Sequence, residues 1–146
     1  MSFSIKSFSI IVAAILFTAF SCSKPPSLPQ PSVEAHSKEG KLIVTLSVPD
    51  HHHAYLDSGT EGNLIPVSFD WAKWSANGQN EPQLISKPEG ALDQDTGAYI
   101  LHGNGNFTFE TKDTNKQNEF RVRVQICDEI KGICYRPSWH EVTPKG

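Results

Sequence analysis

Apolar and polar residues alternate in short runs along most of this chain. Leu42, Val44, Leu46 and Val48 are separated by Ile43, Thr45 and Ser47, a period of two with one strongly apolar face. Val67-Ser68-Phe69-Asp70-Trp71 and Phe107-Thr108-Phe109-Glu110-Thr111 follow the same rule. The rule is clearest in Phe120-Arg121-Val122-Arg123-Val124-Gln125-Ile126, whose four apolar residues face one way and whose Arg121, Arg123 and Gln125 face the other. Successive strand side chains point to opposite faces, so each run predicts a strand with one buried side. Turn-formers lie between the runs, at Glu39-Gly40, Asn77-Gly78, Glu89-Gly90, Gly103-Asn104-Gly105-Asn106 and Asp113-Thr114-Asn115. No stretch of a dozen residues keeps a 3.6-residue period. The pattern predicts an all-β chain, its short antiparallel strands packed as a two-sheet sandwich with Phe120, Val122, Val124 and Ile126 in the core.

The N-terminus departs from this pattern. Lys6 is the only charge before an apolar run from Ser7 to Phe20, fourteen residues that fall short of the ~20 needed to span a bilayer. The run ends in Ala19-Phe20-Ser21-Cys22, which resembles a lipobox, the bacterial lipoprotein signal whose cysteine is acylated and becomes the new N-terminus. Ala19-x-Ser21 also fits an ordinary small-x-small cleavage site cutting the same bond, and either route exports the chain. Ser23-Lys24-Pro25-Pro26-Ser27-Leu28-Pro29-Gln30-Pro31 follows, too proline-rich to join a sheet and suited to an extended spacer. The expected organisation is a lipoprotein-type signal over residues 1–21, a tether over 22–32 carrying a lipid on Cys22, and a folded domain over 33–146. Ser23 lacks the Asp that retains some lipoproteins at the inner membrane. The expectation is therefore the periplasmic side of the envelope, with the outer membrane favoured over the inner.

Composition narrows the function. In 146 residues, 13 Lys+Arg stand against 16 Asp+Glu for a net charge of −3, with no basic face for nucleic acid. The length suits one domain and excludes a large multidomain enzyme. With Cys22 given to the lipid, Cys127 and Cys134 remain, and in an oxidising compartment two such thiols are expected to pair. Closing so short a loop stabilises by only about 2.5 kcal/mol on the chain-entropy model, too little for a fold of this size to depend on. Phe120–Ile126 runs as a strand into Cys127, Asp128–Ile133 reads as a loop in which Gly132 can take positive φ, and Cys134-Tyr135 opens the returning strand. Cysteines facing each other across such a pair are held by the ladder, and strained or exposed disulfides are the exchangeable ones, so a reversible dithiol fits better than a staple.

The residues from Val124 to Pro137, Val-Gln-Ile-Cys-Asp-Glu-Ile-Lys-Gly-Ile-Cys-Tyr-Arg-Pro, resemble the active hairpin of the N-terminal periplasmic domain of the thiol–disulfide interchange protein DsbD. Asp50-His51-His52-His53-Ala54-Tyr55 and Leu64-Ile65-Pro66-Val67-Ser68-Phe69 resemble upstream segments of the same family, extending the likeness over about residues 33–146. The resemblance implies an immunoglobulin-like sandwich. It also implies Cys127 and Cys134 as the redox pair, Tyr55 and His53 as their neighbours, and a capping segment over Ala91–Tyr99. That segment supplies Asp93, Asp95 and Tyr99 but lacks the family's Phe. The implied partners are a membrane-embedded or thioredoxin-like reductant and oxidised exported proteins, with no bound cofactor.

Three charge and ligand readings complete the picture. Asp128 and Glu129 disfavour a thiolate at Cys127, whereas Lys131 and Arg136 favour one, which leaves the order of attack open. On a strand His51 and His53 would share a face, and with two thiolates could make a Cys₂His₂ metal site. The cysteine spacing is wider than such sites use, so no metal is expected there. Trp71, Trp74 and Trp139 read as core or edge packing. Two functions compete with the redox reading: a passive immunoglobulin-like lipoprotein that binds another protein, with a purely structural disulfide, and a periplasmic metal carrier.

Overall fold

The computed structural model describes residues 27–112 and 118–146. The predicted signal segment, Cys22, the start of the proline-rich stretch and the predicted turn at Asp113-Thr114-Asn115 lie outside the described residues.

In chain order the elements are β1 (Ser32–Lys38), β2 (Lys41–Ser47), β3 (His52–Tyr55), β4 (Ser68–Asp70), α1 (Ala72–Ser75), β5 (Gln83–Ser86) and β6 (Ala91–Leu92). They continue with β7 (Tyr99–Leu101), β8 (Asn104–Glu110), β9 (Phe120–Val124), β10 (Ile126–Asp128), β11 (Ile133–Cys134) and β12 (Ser138–Val142). All pairings between these strands are antiparallel. One layer has the order β1-β2-β8-β5 and the facing layer β12-β9-β4. A third sheet, β11-β10-β3-β7-β6, continues both layers at one end.

The alternating runs explain the layers. Leu42, Val44 and Leu46 of β2, Phe107 and Phe109 of β8, and Phe120, Val122 and Val124 of β9 are all buried. Each such side chain contributes roughly 1.5–3 kcal/mol by leaving water. Across the interface the Phe69 ring meets Phe107 at 5.2 Å and Phe109 at 4.8 Å, and Trp71 meets Phe109 at 5.1 Å; within its own layer Trp71 also packs on Phe120 at 4.7 Å. The architecture is an all-β, antiparallel, immunoglobulin-like sandwich. The β1–β2 hairpin turns on Glu39 and Gly40 at φ of 51° and 73°, the doubly positive pair whose twist matches the flanking strands.

Three details differ from the pattern-based expectation. Phe120–Ile126 is two strands, because at Gln125 the chain leaves the β12-β9-β4 layer for the third sheet, although all four apolar residues are still buried. Only Gly103 of the Gly103–Asn106 segment lies in a turn (φ 59°), since Asn104, Gly105 and Asn106 are pulled into β8 by pairing with Ser47, Leu46 and Thr45. One turn of helix, α1, is too short to show a period and carries the fully buried Trp74. Trp71 packs against the core, and Trp139 lies at the edge, 4.7 Å below the Arg121 guanidinium.

Convergence at the third sheet sets the functional geometry. The ladder between β2 and β8 passes through a bond from the Val48 N–H to the Gly103 carbonyl (2.8 Å) and resumes between β3 and β7. The other layer enters as β9 becomes β10, and β10 pairs with β3. Strands from both layers therefore meet side by side there.

Asp70 ties β4 to β9. Its carboxylate accepts the Ala72 N–H at 2.9 Å and the Arg121 guanidinium, its cross-strand partner. The Ala72 bond first, and Arg121 second, hold the carboxyl below the ordinary carboxylate range. A lowered folded-state pKa contributes stability above the unfolded value and loses it as pH falls through the folded one. Asp70→Asn should therefore lower the urea midpoint at pH 7, and the difference from the parent should close as pH drops below about 4. Urea unfolding of both proteins at a series of pH values measures this.

Candidate functional site

The only disulfide among the described residues joins Cys127 of β10 to Cys134 of β11. The pair is directly opposed in register, beside Asp128 opposite Ile133. The Tyr135 N–H donates to the Ile126 carbonyl at 3.0 Å, so the cysteines sit between ladder bonds, where antiparallel strands approach most closely. Their Cα atoms are 3.9 Å apart. The turn between them is built by one residue. Asp128 accepts the N–H groups of Ile130 and Lys131 on one carboxylate oxygen, both at 3.0 Å, and its carbonyl accepts the Gly132 N–H at 2.9 Å. Gly132 supplies the positive φ of 63° that closes the loop. The Lys131 and Ile130 N–H bonds and the Lys131 ammonium at 3.3 Å lower the Asp128 pKa to about 2, the Lys131 N–H contributing most.

The two sulfurs are not equivalent. Cys127 is 3 % exposed, packed with Tyr55 and Ala98 and covered by Leu64 and Ile100. Cys134 is exposed, because β11 is the edge strand of its sheet.

On the other side of β10, Cys127 is paired with His53, and Ala54 of β3 is paired with Leu101 of β7. Continuing that register brings His102 beside His53, and their rings lie 6.1 Å apart. Cys134, Cys127, His53 and His102 thus form one row across the sheet. Residues two apart on a strand share a face, which adds Glu129 and Tyr55 to the same side. The Tyr55 ring is 5.1 Å from His53, and the Glu129 carboxylate contacts both His53 (3.1 Å) and His102.

Asp93 and Asp95 border the same cleft as Tyr55, His53 and both cysteines. They are held there by a turn in which Asp93 accepts the Thr96 hydroxyl at 2.6 Å and the Asp95 N–H at 3.1 Å. The Thr96 bond is the largest cause of the lowered Asp93 pKa, and burial followed by the Asp93 charge raises that of Tyr55. At neutral pH the cleft therefore presents a protonated phenol beside an ionised carboxylate.

Two sequence expectations need correction. Tyr99 stands outside the cleft lining, because the alternation that turns Ile100 inward sends Tyr99 to the other face of β7, where it is 45 % exposed. His51 does not share a strand face with His53, because it adopts a left-handed φ of 60° in the turn before β3. His52, on the opposite face, is buried and stacks on Tyr135 at 5.9 Å. Pattern reading missed His102, Ile100 and Leu64. The first two follow from counting β7 against β3 once the register is known, and Leu64 sits on a loop with no periodicity to read.

A family model described as thiol:disulfide interchange protein DsbD, N-terminal, matches residues 24–145. The chain belongs to this family. Among solved structures, the DsbD N-terminal domain of Neisseria meningitidis in its reduced form is similar at 18 % identity and a TM-score of 0.48, over 78 % of this chain and 83 % of that one. A complex between the DsbD N-terminal and PilB N-terminal domains of the same organism gives 18 % identity and 0.48 over 76 % and 79 %. No curated protein matches the chain. The matched residues of the DsbD N-terminal family model include the whole disulfide hairpin.

Asp128→Ala removes the acceptor that orders the hairpin turn. The amides of Ile130 and Lys131 should then exchange with solvent at least about tenfold faster, while those of β2 and β8 keep their protection. Hydrogen exchange followed by NMR tests this.

Proposed function

We propose that this chain is an exported thiol–disulfide interchange protein that carries reducing equivalents through Cys127 and Cys134. The observation that carries the reading is the asymmetry of the pair: an exposed Cys134 directly opposed to a buried Cys127. Family membership supports the same chemistry.

The exposure of Cys134 supports the following sequence of steps. A thiolate of a thioredoxin-like or membrane-embedded reductant attacks Cys134 Sγ, the Cys127–Cys134 bond breaks, and Cys127 leaves as a thiolate and takes up a proton. The reductant's second thiol attacks its own half of the mixed disulfide, releasing Cys134 and leaving the reductant oxidised. The reduced pair then runs the same exchange forward. Cys134 attacks a disulfide in an oxidised exported protein, and Cys127 attacks Cys134 to re-form the bond and release the target as a dithiol. Two electrons and two protons pass in each half-cycle. Tyr55, His53, Asp93 and Asp95 shape the cleft around the buried sulfur and restrict which partners reach it.

Reduction should leave the domain folded, because loop closure by this bond is worth only about 2.5 kcal/mol. In a redox titration with thioredoxin the disulfide should open while far-UV circular dichroism stays unchanged. Cys127→Ala, which keeps the exposed sulfur, should form a lasting mixed disulfide with the reductant and react with a small aromatic disulfide at least about tenfold faster than Cys134→Ala. A bond that resists reduction until the protein unfolds would instead make it a staple and the chain a passive binding protein.

We further propose that Cys22 carries the lipid and that residues 22–32 hold the domain off the periplasmic face of a membrane, the outer one being favoured by Ser23. The intact mass of the membrane-extracted protein should exceed that of the bare polypeptide starting at Cys22 by diacylglyceryl and acyl additions. A bare mass would refute the anchor.

A further inference from the structure

Beside the disulfide, the same face of the third sheet gathers two imidazoles and a carboxylate from three separate segments. We propose that His53, His102 and Glu129 form a binding site for a divalent first-row metal ion of the zinc class.

One ligand atom from each of the three residues lies within 4.8 Å of the other two. The Glu129 Oε1 atom is the focus, with His53 Nδ1 at 3.1 Å and His102 Nε2 in contact with the same oxygen. Each residue is fixed by a different part of the backbone. His53 is on β3, His102 lies between β7 and β8, and Glu129 is pinned at the start of the hairpin turn by its own N–H bond to the His51 carbonyl at 3.0 Å. Three ligands held this way leave little ordering entropy to be lost when an ion binds.

The ring of His53 carries a second observation. Its Nε2 is shut off from solvent and has no hydrogen-bond partner, so the ring, its side chain only 14 % exposed, is committed to the Glu129 side through Nδ1 alone. Burial of Nε2 leaves Nδ1 as the one ring atom that can reach an ion, and it already faces the Glu129 carboxylate at 3.1 Å.

The donor set decides the ion. Two imidazoles and one carboxylate suit zinc, copper and nickel better than magnesium or calcium, which prefer all-oxygen shells. Three protein ligands leave a coordination position open, and the half-exposed His102 and Glu129 side chains give the ion a way in. The bound ion would fasten the disulfide hairpin, through Glu129, to β3 and to the β7–β8 connection. The disulfide sulfurs are not among the ligands. The site therefore stands or falls independently of the redox reading.

The test uses the full chain with its disulfide closed, titrated with Co²⁺ as a spectroscopic probe and then with Zn²⁺. We expect one equivalent of Co²⁺ to bind with the ligand-field absorption of a nitrogen–oxygen site, and Zn²⁺ to displace it. Zn²⁺ should also raise the melting temperature. Glu129→Gln and His102→Ala should each weaken binding at least about tenfold and abolish the thermal shift. His36→Ala, at a histidine remote from the cluster, should leave both unchanged. The absence of saturable binding, or equal binding by all the variants, would overturn the site.

Discussion

β10 is three residues long, yet it is hydrogen-bonded on both sides, to β3 along one edge and β11 along the other. That double pairing fixes every distance at the disulfide. It sets Cys127 opposite Cys134 on one side and opposite His53 on the other, and it leaves β11 as the outermost strand. Burial of one sulfur and exposure of the other are then consequences of strand order. A cysteine inside the sheet is covered by its neighbours, and one on the edge is not. The sandwich serves this arrangement by delivering β3 from one layer and β10 from the other to the same place, with the aromatic cluster of Phe69, Trp71, Phe107, Phe109 and Phe120 holding the layers together.

Asp128 shows how a short turn can be made rigid without a large loop. Its carboxylate and carbonyl together accept three consecutive N–H groups, and its flanks are occupied by Lys131 and Tyr135. At sequence level Asp128 and Glu129 read alike, as negative charges beside a cysteine. In the fold they differ completely. Asp128 has its charge absorbed by the turn it organises, whereas Glu129 reaches across to two histidines. Asp93 and Asp95, from the segment before β7, add two further carboxylates to the cleft that Asp128 and Glu129 also line.

The sandwich was legible because period-two alternation is a direct image of a half-buried strand. Leu42 to Leu46 and Phe120 to Val124 needed no tertiary information. The facing of Cys127 and Cys134 was legible too, since a loop ending in Gly132 between two strand-like runs leaves few alternatives. What the sequence hid was register between distant strands. Nothing local says that His102 stands beside His53, or that Ile100 rather than Tyr99 turns inward, because an offset of one residue inverts every face. The switch of sheets at Gln125 was hidden for a related reason. Alternation continues unbroken through it, and the Gln125 side chain, bonded to the Tyr135 carbonyl at 2.9 Å, marks the spot only in three dimensions.

The unequal exposure of the two sulfurs also bears on damage. In the reduced pair, a peroxide arriving from solvent would meet the exposed Cys134 first and would convert it to a sulfenic acid. Further oxidation of that group would be irreversible, but a thiol waits on the adjacent strand, at a Cα separation of 3.9 Å in the closed form. Attack by Cys127 expels water and returns the pair to its disulfide before a second oxidant molecule need be met. In the proposed cycle the buried cysteine would act as a built-in resolving thiol, and what would be an oxidative lesion on a lone exposed cysteine would become a return to the disulfide.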